Sequence, residues 1–302
     1  MNQPNLSQWQ HNHLFGTDQK TSGEVRTRWV IGLTLVMMLA EIFAGHLFGS
    51  MALLADGWHM GTHAAALGVT VFAYRFARRH ADNERFSFGT GKVGAVGGFA
   101  SAVGLAVIAL LIGAESARRF FVPVGIHFNE AIAVAVLGLA VNLASAWLLR
   151  GGHEEEEHDH LHHDHNLRAA YLHVMADALT SVLAIVALTT GKYLNAVWMD
   201  PVIGVVGSVI IAKWSIGLLR KTSEVLLDAE MGIDERRAVQ RLIESDADNR
   251  VSDLHIWRVG PKHLAAIVSV ISQHPKDPSY YKSLLASRLD LVHVTVEVHS
   301  GL

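Results

Sequence analysis

Long apolar runs alternate with short polar stretches over roughly the first two thirds of the chain. Each run approaches or exceeds the roughly 20 residues with which a helix crosses a bilayer. The third run carries no charge between Val93 and Ala114 and is rich in glycine and alanine, which favours close packing against a neighbouring helix. The pattern predicts six transmembrane helices, at residues 29–49, 52–74, 93–115, 129–149, 169–190 and 197–219.

Mixed polar and apolar sequence follows the last apolar run and predicts a small α/β domain. Its expected order is helix, strand, strand, helix, strand, over 234–245, 251–259, 263–271, 280–289 and a final LVHVTVEVH strand. This last segment alternates strictly, with Val292, Val294, Val296 and Val298 on one face, as in a strand with one buried side. The predicted organisation is a tail at 1–27, a six-helix transmembrane domain at 28–220 with a histidine-rich 4–5 loop at 151–166, and the small domain at 221–302.

Basic residues predict the orientation of the chain in the membrane. Six spans place both termini on one side, and cytoplasmic loops carry an excess of lysine and arginine. The loop between the second and third spans holds five such residues, whereas the opposite side of the membrane holds only three in total. We therefore expect a multi-pass protein of the cell (inner) membrane, with its tail, its C-terminus and its small domain in the cytoplasm. The five residues are Arg75, Arg78, Arg79, Arg85 and Lys92.

Composition narrows the chemistry further. The chain has 302 residues, 50% hydrophobic and 18% charged, with a net charge of −3 and no basic stripe, so nucleic acid is not an expected partner. It contains no cysteine, which excludes disulfides, thiolate metal sites and cysteine nucleophiles. Its 19 histidines, in contrast, are numerous and clustered.

Two of the predicted helices carry polar residues four positions apart. The second span contains His59 and His63, with Asp56 one turn earlier, and the fifth contains His173 and Asp177. Residues four apart share a helix face, and polar groups at bilayer depth seldom face lipid. We predict that the two pairs form a tetrahedral site for Zn²⁺ or Co²⁺. Asp56 would either orient a ligand imidazole or serve as a packing contact. The alternative is that these groups only hydrogen-bond between helices.

A second histidine cluster lies in the 4–5 loop, where residues 153–165 contain six histidines and six acidic residues. Such a tract cannot build an apolar core. We interpret it as a flexible metal collector that modulates the membrane site, and the alternative is a solvated linker. Its histidines are His153, His158, His160, His162, His163 and His165.

The small domain also offers metal-ligating side chains. Histidine and glutamate share the polar face of the last predicted strand, where they could bind regulatory metal or simply face water. The candidates are His255, His263, His293, Glu297 and His299.

Four motifs closely resemble those of the cation diffusion facilitators: SMALLADGWHMGTH, FSFGTGK, HVMADALTS and DLHIW. The resemblance covers nearly the whole chain. It implies a homodimeric exporter of divalent transition metals driven by proton antiport, with a cytoplasmic ferredoxin-like domain through which it dimerises and no prosthetic group. It also implies transport ligands at His59, His63, His173 and Asp177.

Departures from the family pattern suggest which metal is carried. Zinc members usually have aspartate at position 63, and the histidine here is similar to the DmeF-like branch, so we expect export of Co²⁺ ahead of Zn²⁺, Ni²⁺ and Cd²⁺. A zinc-selective exporter of the same family and a passive metal channel are the alternatives. Ser252 replaces a histidine that some members use in the small domain, and the FSFGTGK loop lacks histidine. The HMGTH run lacks the glutamate of a zinc protease, so no enzymatic activity is expected.

Overall fold

The computed structural model describes residues 24–80, 83, 85–150, 163–229, 232–260, 263–286 and 291–301. Six long helices come first: α1 (Glu24–Phe48), α2 (Met51–Arg79), α3 (Val93–Phe121), α4 (Phe128–Arg150), α5 (His163–Leu194) and α6 (Met199–Leu226). They are followed by α7 (Ile233–Glu244), β1 (Arg250–Arg258), β2 (Leu264–Ser272), α8 (Pro278–Ala286) and β3 (Leu291–Ser300). Contacts group the described chain into two units, one of residues 24–68 and 100–219, the other of residues 69–99 and 220–301.

The long helices have the outward apolar faces of membrane helices. Within the described residues, α3, α6 and residues 128–145 of α4 are long and apolar enough to span a bilayer, and residues 32–48 of α1 form a shorter apolar helix. Val36, Phe43 and Leu110 are between 66% and 72% exposed, as expected of side chains that face lipid. The predicted fold class, a helical membrane protein followed by a small α/β domain, is confirmed.

Helix α2 lies at the centre of the first unit. On one side Met51, Leu54 and Ala55 pack against α3 and against Ile211 of α6. On the other side Leu53 packs in a cluster with residues of α1, α4 and α5. As a result almost every side chain in the first ten residues of α2 is buried. This central position brings Asp56 and His59 into the protein interior rather than into lipid.

The start of α2 is fixed by a carboxylate from another helix. Gly49 adopts a left-handed φ of 72° that suits the end of α1. Ser50 then caps α2, its Oγ accepting the N–H of Leu53 at 3.1 Å. Asp200, in the first turn of α6, accepts hydrogen bonds from Ser50 Oγ at 2.6 Å, Met51 N at 2.8 Å and Ala52 N at 3.1 Å. Asp200 therefore satisfies donors that helix geometry leaves open.

Asp200→Ala is expected to lower the free energy of unfolding by about 2 kcal/mol, because buried donors lose their acceptor. Thermal unfolding of the purified protein in detergent measures the effect. Asp200→Asn is the matched control, since it keeps one acceptor oxygen and should lose less stability. An unchanged unfolding midpoint in Asp200→Ala would contradict this role.

The C-terminal residues form a three-stranded sheet in the order β1-β2-β3. Strands β1 and β2 are antiparallel, and β2 and β3 are parallel, so α8 makes the crossover between β2 and β3. Helices α7 and α8 cover one face, with Val239, Ile243, Tyr281 and Leu285 in the core. The predicted alternation of β3 holds from Val294 onward but not at its start. A register shift there leaves Leu291 packed against the core, so Val292 is the extra residue of a bulge.

Two sequence motifs of the second unit contact each other. Phe88 of the FSFGTGK loop packs edge-on against Trp257 and His293, with ring centroids 6.0 and 5.4 Å apart. A Cβ on Gly91 would overlap the carbonyl oxygen of Val259, so only glycine permits this approach. Lys92 forms an ion pair with Asp228, just beyond α6. Aromatic contacts and a close backbone approach thus hold the loop against the α/β domain, and an ion pair holds it to the segment after α6.

Candidate metal site

Helices α2 and α5 bring two of the predicted ligands into contact. Nε2 of His59 lies 3.0 Å from Oδ1 of Asp177, and only 3% of His59 is exposed. The indole of Trp214, on α6, meets the His59 ring edge-on with centroids 5.2 Å apart. A ring nitrogen and a carboxylate oxygen at this distance can form a hydrogen bond, and the same two atoms are suitable ligands for a divalent metal.

The other two predicted ligands occupy the expected helices. The backbone of His63 lies in α2, one turn after His59, and that of His173 lies in α5, one turn before Asp177. Their side chains lie outside the described part of the structure. Among the described side chains there is no group of three or more possible metal ligands, so the four-ligand set stays a prediction.

Asp56 belongs to a buried polar network next to this pair. Its Oδ2 accepts a hydrogen bond from Ser181 Oγ at 2.7 Å, and Asn142 Nδ2 donates to Ser181 at 3.3 Å. The main-chain oxygen of Asp177 lies 3.2 Å from the same hydroxyl. The network links α2, α4 and α5 directly beside the proposed ligands. Its position is compatible with the orienting role predicted for Asp56.

A small cavity extends from His59 along α2 toward the start of that helix. It is lined by residues of α2, α5 and α6, including Ala52, Thr180 and Gly207. Its volume of about 20 Å³ is enough for a single water molecule. A Cβ on Gly207 would lie 2.6 Å from that of Ala55, so this glycine is what allows α6 to approach α2.

The histidine-rich tract lies largely outside the described residues. Helix α5 begins at His163, so the backbone of His163 and His165 is helical, several residues before the predicted membrane span. The side chains of both, and residues 151–162 altogether, lie outside the described part. Metal capture by the tract stays a prediction.

The small-domain candidates lie on and beside the sheet. His255, His293, Glu297 and His299 share the face that α7 and α8 leave uncovered, because the neighbouring β1 and β3 residues point into the core. Nε2 of His255 lies 3.1 Å from Asp253 Oδ2, whereas His299 pairs with Glu297 at 4.0 Å. Strand β2 separates the two pairs, and His263 precedes β2. The described side chains therefore do not converge on one domain site.

Glu41 is a buried residue that the sequence analysis did not select. It is 0% exposed in α1, facing Gly138 of α4 and Gly57 of α2. The signal was available, because Glu41 is the only acidic residue in the first apolar run and a carboxyl group at bilayer depth is costly.

Comparisons with known proteins agree with this architecture. Residues 28–227 match the family described as the cation efflux transmembrane domain. The zinc transporter ZitB of Escherichia coli (strain K12) is 32% identical over 95% of this chain and 91% of its own. The cadmium, cobalt and zinc/H(+)-K(+) antiporter of Bacillus velezensis is 28% identical over 82% of this chain and 76% of its own. The cation efflux system protein CzcD of Alcaligenes sp. is 27% identical over 95% of this chain and 89% of its own. Combined with six long helices and a C-terminal α/β domain, these matches assign the chain to the cation diffusion facilitator family of divalent metal exporters.

Proposed function

We propose that this transporter moves divalent transition metals out of the cytoplasm by proton antiport, through a site formed by His59, His63, His173 and Asp177. The observation that carries the proposal is the 3.0 Å contact between His59 and Asp177. It joins two helices in the interior of the bundle, at the positions that the paired i, i+4 pattern selected. The comparisons support membrane transport of metal cations, and the transported ion is substrate rather than cofactor.

Proton coupling follows from the chemistry of the ligands. Imidazole binds metal only when it is neutral, so protons and metal compete for the same nitrogens. A site open to the cytoplasm would bind metal and release protons. Open to a more acidic exterior, it would bind protons and release metal. The antiport named for the Bacillus velezensis relative supports this coupling, and no covalent step is needed.

The relatives and the ligand set point to different preferred metals. The relatives' names give zinc for ZitB, and cadmium, cobalt and zinc for the Bacillus velezensis protein. These names favour Zn²⁺ at least as much as Co²⁺. Our Co²⁺ preference rests on His63 alone, which would give the site three imidazoles and one carboxylate. Transport of Ni²⁺ rests only on the resemblance to the DmeF-like branch.

Membrane orientation and assembly complete the proposal. The excess of basic residues around the FSFGTGK loop favours cytoplasmic termini in a cell (inner) membrane. The family resemblance favours a homodimer formed through the α/β domain. The open sheet face, with exposed Ile267 between the polar residues of β1 and β3, is a surface on which such a contact could form.

Uptake into proteoliposomes tests the function. When the cytoplasmic side of the protein faces the external solution and the vesicle interior is acidic, the wild-type protein should accumulate Zn²⁺ and Co²⁺ inside the vesicles against their gradients. Protons should leave the vesicles at the same time. Empty liposomes, and protein vesicles without a pH gradient, are the controls. Metal that only equilibrates, with no dependence on the pH gradient, would support a passive channel and contradict antiport.

A further inference from the structure

We propose that the Glu41 carboxyl is a proton-binding site separate from the metal ligands, and that it carries a counter-transported proton. This inference rests on the proposed antiport and adds a residue to it. Neither carboxyl oxygen of Glu41 has a hydrogen-bond partner among the described residues, and the side chain is 0% exposed. An ionised carboxylate without partners is strongly disfavoured in such a place. The neutral acid is therefore the form that this conformation accommodates.

The space around Glu41 is shaped for the carboxyl group. A Cβ on Gly138 of α4 would overlap Oε1 of Glu41, and a Cβ on Gly57 of α2 would lie 3.0 Å from the Cβ of Glu41. Glycine at position 138 therefore leaves the room that the carboxyl group occupies, and Gly57 lets α2 approach the backbone side of Glu41 closely. The carboxyl group fills a gap in α4 that a side chain at position 138 would close.

The charges that face Glu41 also favour a bound proton. Asp56 on α2 and Asp177 on α5 are close enough to interact electrostatically with it, and both oppose a negative charge on Glu41. His59 follows Asp56 by one turn of α2. Helix α4 presents Gly138 and Asn142, and its Glu130 lies at the helix start. On α1 itself, His46 is exposed. Among the described groups, those that act electrostatically on Glu41 are therefore both acidic.

A proton suits this position better than a metal ion. Among the described side chains Glu41 belongs to no group of three or more possible metal ligands, so these side chains form no coordination set for a metal ion around it. Metal ions of this kind need several oxygen ligands, whereas a proton needs only the carboxyl oxygen itself. Protonation converts the carboxylate to the acid, and deprotonation returns the proton to water.

A buried polar network that includes Asn142 of α4 lies beside the metal ligands, and Glu41 contacts the same helix at Gly138. Gly138 and Asn142 are four residues apart and share one face of α4. Asn142 donates to Ser181, Ser181 donates to Asp56, and the Ser181 hydroxyl also lies next to the main chain of Asp177. A change of charge on Glu41 therefore acts on the same helix contacts that hold the metal ligands. Proton and metal occupancy are thereby linked without sharing atoms.

The test compares metal binding with proton coupling in the full-length protein, with Zn²⁺ as the probe metal. Calorimetry measures Zn²⁺ affinity in detergent, and a pH-sensitive dye inside proteoliposomes measures proton flux per Zn²⁺ transported. Glu41→Gln, which keeps the shape but cannot ionise, should leave Zn²⁺ affinity nearly unchanged. In this variant the factor by which a pH gradient accelerates Zn²⁺ transport should fall by about tenfold, the scale of a typical coupling between sites. Glu41→Asp, which can ionise, should restore part of this acceleration. Glu130→Gln removes an exposed carboxyl group of α4 and is the matched control, which should behave as the wild type.

Each outcome decides between the alternatives. Wild-type proton flux per Zn²⁺ in Glu41→Gln would overturn the role of Glu41 while leaving the antiport intact. Zn²⁺ flux without proton flux in the wild type would contradict the antiport itself. If Glu41→Gln does not fold, infrared spectra of the wild type and Glu41→Asp decide. A neutral carboxylic-acid band at neutral pH that shifts in Glu41→Asp supports the proposal, and a spectrum with only ionised carboxylates overturns it.

Discussion

Asp177→Ala is expected to abolish metal transport while the protein still inserts and purifies normally. Asp177 supplies the only carboxylate of the proposed set and contacts His59 at 3.0 Å. Loss of a hydrogen-bonding partner of a metal ligand already costs about 10- to 100-fold in affinity, so removal of a ligand should cost at least as much. The measurement is Zn²⁺ and Co²⁺ flux in proteoliposomes, alongside Zn²⁺ affinity by calorimetry.

Two matched variants separate a ligand role from general damage. Leu179→Ala changes an outward residue of α5 that is 59% exposed and should transport normally. His46→Ala removes an exposed histidine of α1 and should also transport normally, whereas His59→Ala should be inactive. Wild-type flux in folded Asp177→Ala would remove this residue from the transport site.

His63→Asp is expected to shift the preferred metal from Co²⁺ toward Zn²⁺ without abolishing transport. The exchange replaces a third imidazole by a second carboxylate, giving the mixed nitrogen and oxygen set that Zn²⁺ accepts readily. We expect the ratio of Co²⁺ to Zn²⁺ flux to fall by roughly tenfold, equivalent to about 1.4 kcal/mol. Competitive uptake of the two metals under one pH gradient measures it.

His63→Asn is the control for this exchange, because it introduces an oxygen ligand without a charge. If the ratio of Co²⁺ to Zn²⁺ flux shifts in His63→Asp but not in His63→Asn, the effect comes from the added charge. An unchanged ratio in active His63→Asp protein would mean that position 63 does not set selectivity, and the Co²⁺ preference would lose its support.

The features predicted from sequence are those with a local, repeating signal. Apolar runs located all six long helices, and the i, i+4 spacing selected His59 and Asp177, which the structure brings into contact. Helix α5 nevertheless begins at His163, before the predicted span at 169. A hydropathy pattern measures the bilayer-thick part of a helix, while the helix itself continues into water.

Features that depend on a distant partner could not be predicted. Asp200 and Ser50 are 150 residues apart, and neither neighbourhood indicates the other. The bulge at Val292 depends on how β3 pairs with β2, which strict alternation along one strand does not reveal. Glu41 differs from these cases, because a lone acidic residue in an apolar run was visible. Its burial between two glycines required the fold.

The bond between Asp200 and the start of α2 also bears on how the chain is made. Helix α2 is synthesised long before α6, so its first backbone donors have no carboxylate partner until the sixth helix has been inserted. Until then only the Ser50 hydroxyl caps the central helix, and the sixth helix adds the buried acceptor. A chain that ends before α6 would keep the Ser50 cap of α2 but would leave the N–H groups of Met51 and Ala52 without their carboxylate acceptor. Insertion of α6, the last of the six long helices, therefore completes the hydrogen bonding at the start of α2.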